Sequence, residues 1–293
     1  MTPSASSDAT ANEEQERFWN DVAGPLWVAA EEEIELHAGP FGKAALAVAA
    51  PAVGEMVLDV GCGCGSTTVA LAAAVGAGGG VLGVDLSAVM LARAEERVAA
   101  SGVSHVRLRR ADAQVVDLEP GSFDLVFSRF GVMFFADPIG AFANLRRALR
   151  PGGRMVFACW QAPSANPWMA VVNRGAARIF SLEPPPPDGP GPFGLCDPDR
   201  LDAILRAAAF SSIEISSHEE RLQLGLGESV EEWVHQRLLM GLARSAYLDA
   251  GPDRQREVRA ALAEELVPYQ LDVDAPTSGL MMDAAAWIVA AWL

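Results

Sequence analysis

Residues 55–68 read Glu-Met-Val-Leu-Asp-Val-Gly-Cys-Gly-Cys-Gly-Ser-Thr-Thr, and this stretch decides the fold. Met56 to Val60 is a mostly apolar run of the length of a buried strand. Gly61, Gly63 and Gly65 follow, and Ser66-Thr67-Thr68 then opens a run of Val and Ala. A strand that breaks into alternating glycines and restarts as a helix is a nucleotide-binding turn. Glycine lets the backbone turn sharply and approach a ligand closely, and the helix N-terminus beyond presents free N–H groups.

Outward from this turn, strands and helices alternate through residue 160. Helix 66–75 ends at Gly76, and Gly78-Gly79-Gly80 leads into a second strand, Val81 to Val84, closed by Asp85. Ser87 is a good N-cap for helix 88–100, with Gly102 just past its end. Val106 to Arg109 is a third strand, followed by Ala111-Asp112-Ala113. Phe123 to Ser128 is a fourth. Asp137-Pro138 supplies an N-cap and a first-turn proline for helix 138–149, and Pro151-Gly152-Gly153 turns into a fifth strand, Met155 to Trp160. This rhythm of apolar strands and helices implies a parallel sheet covered on both faces.

The flanks read differently. Residues 12–38 are charged and aromatic, and Gly24-Pro25 divides them into two short predicted helices. A third runs from about Phe41 to Ala50. Beyond Trp160, residues 167–182 read as helical, and the proline-rich run 183–194 as a loop or rigid spacer. Asp197-Pro198 starts another helix, Ile213 to Leu222 reads as a sixth strand, and residues 228–248 and 252–267 as two amphipathic helices. A loop through Asp272-Val273-Asp274-Ala275-Pro276 precedes a last apolar strand, Ala284 to Leu293. The expected fold is α/β: a doubly wound, mostly parallel, seven-stranded Rossmann-like sheet. Its expected parts are a disordered tail (1–11), an N-terminal helical cap (12–50), the ligand-binding domain (51–222 plus 284–293) and a helical lid insertion before the last strand (223–283).

At 293 residues and 51% hydrophobic, the chain can bury a sizeable core. It has no run of eighteen apolar residues, so no membrane span is expected. Its start lacks the charged and apolar regions of a signal peptide. The formal charge of −16 argues against a nucleic-acid partner, since phosphate neutralisation needs clustered Lys and Arg. Cys62, Cys64, Cys159 and Cys196 show no zinc spacing, and no metal site is expected. Reduced thiols fit a cytoplasmic protein. Cys62 and Cys64 suit the turn by their small size, and thiolates beside Asp59 are disfavoured by like charge.

A dinucleotide turn reads G-x-G-x-x-G. Counted from Gly61, the third glycine position is Ser66, so the pattern fails. What stands here is Asp59-x-Gly-x-Gly-x-Gly, with a carboxylate two residues before the first glycine. An acid there would repel a pyrophosphate and suit a ligand bearing a cationic or hydroxylated group.

The chain resembles the class I S-adenosylmethionine-dependent methyltransferases, in particular the small-molecule group labelled methyltransferase type 11 or type 25. The likeness covers roughly residues 45–160 and rests on four ordered motifs. These are Val57-Leu58-Asp59-Val60-Gly61-Cys62-Gly63-Cys64-Gly65; Gly83-Val84-Asp85-Leu86-Ser87; Ala111-Asp112-Ala113; and Phe123-Asp124-Leu125-Val126-Phe127-Ser128, later joined by Leu149-Arg150-Pro151-Gly152-Gly153. The resemblance implies S-adenosyl-L-methionine as cofactor. Gly61, Gly63 and Gly65 would wrap its methionine portion, with Asp59 near the ammonium. Asp85 would accept from both ribose hydroxyls, as a carboxylate can. Leu86 would flank the adenine, Asp112 would accept from its amino group and the Ala113 N–H would donate to the ring. Ser128 and Arg129 would border the methyl group and the substrate.

The implied reaction is methyl transfer from sulfonium to an oxygen, nitrogen or carbon nucleophile of a small molecule. Catalysis then consists mainly in aligning that nucleophile and excluding water, with a base where the acceptor must lose a proton. His37, in the N-terminal helices, and His235, in the insertion, are the base candidates, and Arg129 is the remaining catalytic candidate. Trp27, Phe130, Met133 and Phe134 are candidate lining for an apolar or aromatic acceptor, with core packing the competing role for at least two of that run. A non-catalytic protein that binds the cofactor is the alternative. The sequence leaves the acceptor, the base and a homo-oligomeric state open.

Overall fold

The computed structural model of the chain describes residues 13–183, 186, 188–275 and 277–293. The tail expected over 1–11 lies outside the described residues, as do Pro184, Pro185 and Pro187 of the proline-rich run and Pro276 of the later loop. The described chain divides into two compact units. One takes in the chain through Trp160, Asp188–His218 and Ala286–Leu293, and the other Gln161–Pro187 and Glu219–Ala285.

Seven strands form a single sheet in the order β3-β2-β1-β4-β5-β7-β6. They are β1 Met56–Val60, β2 Gly80–Asp85, β3 Val106–Arg110, β4 Phe123–Arg129, β5 Leu149–Trp160, β6 Ser212–Leu224 and β7 Leu280–Trp292. β1 pairs in parallel with β2 and β4, β2 with β3, and β4 with β5, whereas β7 runs antiparallel to β5. The order reverses between β1 and β4, and ligands of such sheets bind in the crevice beyond the carboxyl ends at that point. Register brings the motif residues to one level: Asp59 lies beside Gly83 and Phe127, and Asp85 beside Arg110. The core of this unit packs Val57, Leu71, Val75, Val81, Leu125, Phe127 and Val156 with Ala45 and Ala49 of the N-terminal helices.

The strands match the expected ones, with longer ends. β5 begins at Leu149, so Pro151-Gly152-Gly153 lies within the strand, and β7 begins at Leu280 instead of Ala284. The predicted helix pair 228–248 and 252–267 resolves into three helices, Val230–Met240, Arg244–Asp249 and Pro252–Leu266. Gly241 and its neighbours interrupt the first.

The N-terminal region also departs from expectation. Gly24-Pro25 does not break the chain, because Pro25 stands in the first turn of α1 (Ala23–Ala29), where a missing N–H is no loss. A π-helical turn, Phe18–Val22, precedes it. The interruption falls instead at Ala30 (φ −103°, ψ 19°), and α2 then runs unbroken over Glu31–Ala49 with Pro40 inside it. The helix expected to begin near Phe41 is therefore the second half of a longer one.

The second unit has its own centre. Trp233, Tyr247, Leu238 and Leu262 are buried in it. Asn166 is fully buried: its Nδ2 donates to the Gln161 and Ala285 carbonyls (3.1 and 2.9 Å), and its Oδ1 accepts from Ala285 N–H (3.0 Å). Helices Pro167–Phe180 and Pro252–Leu266 approach closely enough that a Cβ on Gly175 would lie 2.3 Å from Leu262. No helix among the described residues is long and apolar enough to cross a membrane.

Candidate functional site

The glycine turn is closed against β2: Gly61 and Cys62 N–H donate to the Val84 carbonyl at 2.9 and 3.1 Å. Gly61, Gly63 and Gly65 have φ of 66°, 55° and 82°, the left-handed region that favours glycine. Space is equally restrictive. A Cβ on Gly61 would lie 2.8 Å from Gly131 Cα, and one on Gly65 2.9 Å from Ala94 Cβ. The backbone thus forms a tight cradle ahead of α3 (Ser66–Val75) that side chains would fill.

Asp59 lies beneath this cradle, fully buried. Its Oδ2 accepts from Thr68 Oγ1 at 2.6 Å and Thr67 Oγ1 at 3.0 Å, while Oδ1 is buried with no hydrogen-bond partner. Burial pushes its carboxyl up to about 6, against the pull of the two threonine hydroxyls and the Arg129 charge. A buried carboxylate oxygen without a partner is costly unless a donor or cation meets it. A ligand ammonium fits that need.

Asp85 caps β2. Its Oδ2 accepts from Gly63 N–H and its Oδ1 from Ser87 N–H, both at 2.8 Å. Burial raises its carboxyl, opposed by those amides. Each oxygen retains acceptor capacity for a hydroxyl. Ser87 N-caps α4 (Ala88–Ser101), as its sequence position predicts. Asp112 is held by Gln114, whose N–H donates to Oδ1 at 2.9 Å. The Gln114 Oε1 in turn accepts from Ala136 and Asp137 N–H (2.8 and 3.1 Å), so this side chain ties the acidic corner to the segment after β4. Ala113 is buried behind it.

Ser128 is occupied structurally: its Oγ donates to the Val60 carbonyl (2.8 Å) and accepts from Gly131 N–H (3.2 Å). Arg129 bonds Glu35 of α2 through one nitrogen to both carboxylate oxygens (2.9 Å each), and Ser66 Oγ through the other (2.8 Å). Ser66 Oγ also donates to Glu35. Burial pushes Glu35 up, but Arg129 and Ser66 outweigh it and hold the carboxyl below its ordinary value. Sequence reasoning missed Glu35 and Gln114, because nothing local to a helix acid or a turn glutamine announces a partner so distant in the chain.

The aromatic candidates separate into two groups. Phe130 has φ 63°, rare for a bulky residue, and stacks on Trp160 at 3.9 Å, with Phe41 edge-on to both. Trp27 and Phe134 belong to a second cluster joined by Trp19, edge-on to each at 5.7 and 5.0 Å. Met133 is core: it is buried, and its Sδ accepts from Trp160 N–H. His37 is buried in α2, with Nδ1 4.0 Å from Glu33. His235 lies in the second unit, Nδ1 2.7 Å from the Tyr247 hydroxyl, which also accepts from Arg259 (2.7 Å). His218 packs edge-on to Phe41 at 5.5 Å.

The cysteine thiols are raised, Cys62 well above its ordinary value by burial and by Asp85 and Asp59, and Cys64 to about 12 by burial and Glu31. Among the described residues no group of three or more His, Cys, Asp or Glu side chains is placed to hold a metal ion.

A family model described as a methyltransferase domain matches residues 57–153. The chain is 35% identical over 118 residues to aklanonic acid methyltransferase DauC of a Streptomyces species, covering 40% of this chain and 54% of that protein. It is 30% identical over 177 residues to demethylmenaquinone methyltransferase of Staphylococcus carnosus, covering 56% of this chain and 71% of that protein. Among solved structures, the YcgJ protein of Bacillus subtilis aligns over 87% of this chain and 96% of that one at TM-score 0.55 and 18% identity. Phosphoethanolamine N-methyltransferase 2 of Haemonchus contortus, solved with S-adenosyl-L-methionine, aligns over 86% and 52% at TM-score 0.50 and 20% identity. These structures share the fold. The chain belongs to the class I S-adenosylmethionine-dependent methyltransferase family. It spans about half the length of the first of these curated relatives.

Proposed function

We propose that this chain transfers a methyl group from S-adenosyl-L-methionine to the oxygen, nitrogen or carbon of an apolar or aromatic small molecule. The observation that carries the reading is Asp59 Oδ1, buried and unpartnered under a cradle of three left-handed glycines. On this reading Asp59 neutralises the ammonium of the methionine portion, Gly61, Gly63 and Gly65 wrap that portion, and Asp85 takes the ribose hydroxyls. Leu86, Asp112 and Ala113 border the adenine, with Ser128 fixing the β4 end of the pocket. The cofactor, when bound, supplies a sulfonium-activated methyl group and leaves as a neutral sulfide. What remains for the protein is alignment and exclusion of water.

The acceptor class is supported by the rings of Trp19, Trp27 and Phe134, by the Phe130 stack, and by relatives named for aklanonic acid and demethylmenaquinone. The Arg129 guanidinium is engaged by Glu35 and Ser66, so its contribution is charge and position, and His37 and His235 stay the base candidates. The test incubates the protein with methyl-labelled S-adenosylmethionine and a panel of phenols, quinols and amines. Label in a product supports catalysis. Tight S-adenosylhomocysteine binding with no label in any acceptor supports the non-catalytic alternative.

A further inference from the structure

The N-terminal segment meets the loop after β2 at a level of detail that packing alone does not require. Asn20, in the middle of the π-helical turn, uses its whole amide. Nδ2 donates to the Glu16 carbonyl (2.7 Å) and to the Leu86 carbonyl (3.2 Å), and Oδ1 accepts from Ala88 N–H (2.9 Å). Two donors and one acceptor, at these positions, fit an amide: an aspartate lacks the donors and a serine lacks the second one. The Leu86 carbonyl accepts a second bond from Arg110 Nε (3.2 Å), and the same guanidinium pairs with Glu16 (2.6 Å). The Gly24 backbone also comes close to the Ser87 side chain: a Cβ on Gly24 would lie 2.6 Å from Ser87 Oγ.

The π-helical turn explains how one segment does both. With Ala23 N–H bonded to the Phe18 carbonyl, the turn takes an extra residue, and such turns recur at functional sites. Asn20 is presented to Leu86 and Ala88 while Gly24, four residues on, lies against Ser87. The bonds to Leu86 and Ala88 and the approach to Ser87 all fall within three residues of Asp85, whose own Oδ1 is held by Ser87 N–H.

We propose that Asn20 is a positioning residue for the adenosine half of the cofactor: by fixing Leu86 and Ala88 it holds the turn that aims the Asp85 carboxylate. The inference rests on the cofactor reading above, and its failure can be told apart from failure of that reading. The experiment titrates S-adenosylhomocysteine into wild-type protein and Asn20→Ala by calorimetry, and follows backbone amide exchange in both without ligand. Loss of two turn-holding hydrogen bonds should weaken binding about tenfold. Exchange should quicken in the peptide covering residues 85–90 and stay unchanged over β1, β4 and β5. Asn20→Asp, which keeps the acceptor for Ala88 and loses both donors, should fall between the two.

Unchanged affinity in Asn20→Ala, with wild type binding, overturns the positioning role and leaves the cofactor reading intact. Weaker binding accompanied by faster exchange throughout the sheet overturns it too, since Asn20 would then support the fold at large. No binding by wild type sinks both.

Discussion

Arg129, at the carboxyl end of β4, and Glu35, in α2, form an ion pair in which one guanidinium nitrogen lies 2.9 Å from each carboxylate oxygen. Ser66 Oγ completes the group at 2.8 Å from the other nitrogen. The pair therefore fastens an N-terminal helix to the first residue of the helix that follows the glycine turn. Arg129→Ala should lower stability by about 1–3 kcal/mol, as expected for a charged hydrogen-bond partner lost from a half-buried site. Adding Glu35→Ala to it should cost much less than Glu35→Ala alone, a coupling read from chemical denaturation. Additive losses would show that the two side chains act separately. Because the Glu35 carboxyl is held below its ordinary value, its contribution is present above the unfolded value of 4.5 and is lost as pH falls through the lower folded value.

Asp59 should behave in the opposite sense. Its carboxyl is raised by burial from 3.8 to about 6, so the folded protein holds a proton that the unfolded chain has released. Between about pH 4 and 6 this group makes the ligand-free protein less stable as pH rises. Ligand binding takes the other sign, because a cationic ammonium favours the ionised form. Affinity for S-adenosylhomocysteine should fall as pH drops through 6. In Asp59→Asn that pH dependence should vanish while affinity falls about tenfold or more, as measured by calorimetry at several pH values. The same variant, free of a buried charge, should be no less stable than wild type at pH 8.

Two glycines with the same backbone hand separate strain from crowding. Gly65 and Gly102 have φ of 82° and 75°. A Cβ on Gly65 would meet Ala94 at 2.9 Å, whereas one on Gly102 would meet nothing within 4 Å. Gly102→Ala should cost about 1 kcal/mol, the left-handed strain alone, and leave cofactor binding unaltered. Gly65→Ala should cost about 2–4 kcal/mol and reduce cofactor affinity. Melting curves with and without S-adenosylhomocysteine distinguish the two. Equal losses in stability would show that the cradle is not tight.

Tyr247 anchors the second unit, fully buried, with its hydroxyl shared between His235 and Arg259. Tyr247→Phe leaves Arg259 without that acceptor and should destabilise the protein by about 1–3 kcal/mol. If His235 acts as the base, the same substitution should also shift the pH profile of turnover with any acceptor that must lose a proton. An unmoved profile would assign His235 a structural role.

The sheet was legible because each strand end is marked by residues whose chemistry is local. Glycines in the first turn, Asp85 followed by a serine cap, and Asp137-Pro138 announce themselves within a few positions. Gly24-Pro25 misled because proline signals a break in the middle of a helix and a start in its first turn, and only the π-helical turn ahead of it decides which. The partners of Arg129, Asp112 and Leu86 were not legible. Glu35, Gln114 and Asn20 are ordinary polar residues until the fold brings them to the carboxyl edge of the sheet. Met133 read as pocket lining from its neighbours in sequence, yet its thioether faces the Trp160 amide in the core.

The central claim is that the carboxyl ends of β1 and β2 form a cofactor site, with Asp85 as its ribose anchor. Calorimetric titration of S-adenosylmethionine into wild type and Asp85→Ala tests it most directly. The account predicts saturable one-site binding by wild type and a loss of at least about tenfold in the variant, as removal of a carboxylate bonded to two hydroxyls implies. Equal affinity in the two proteins would contradict it.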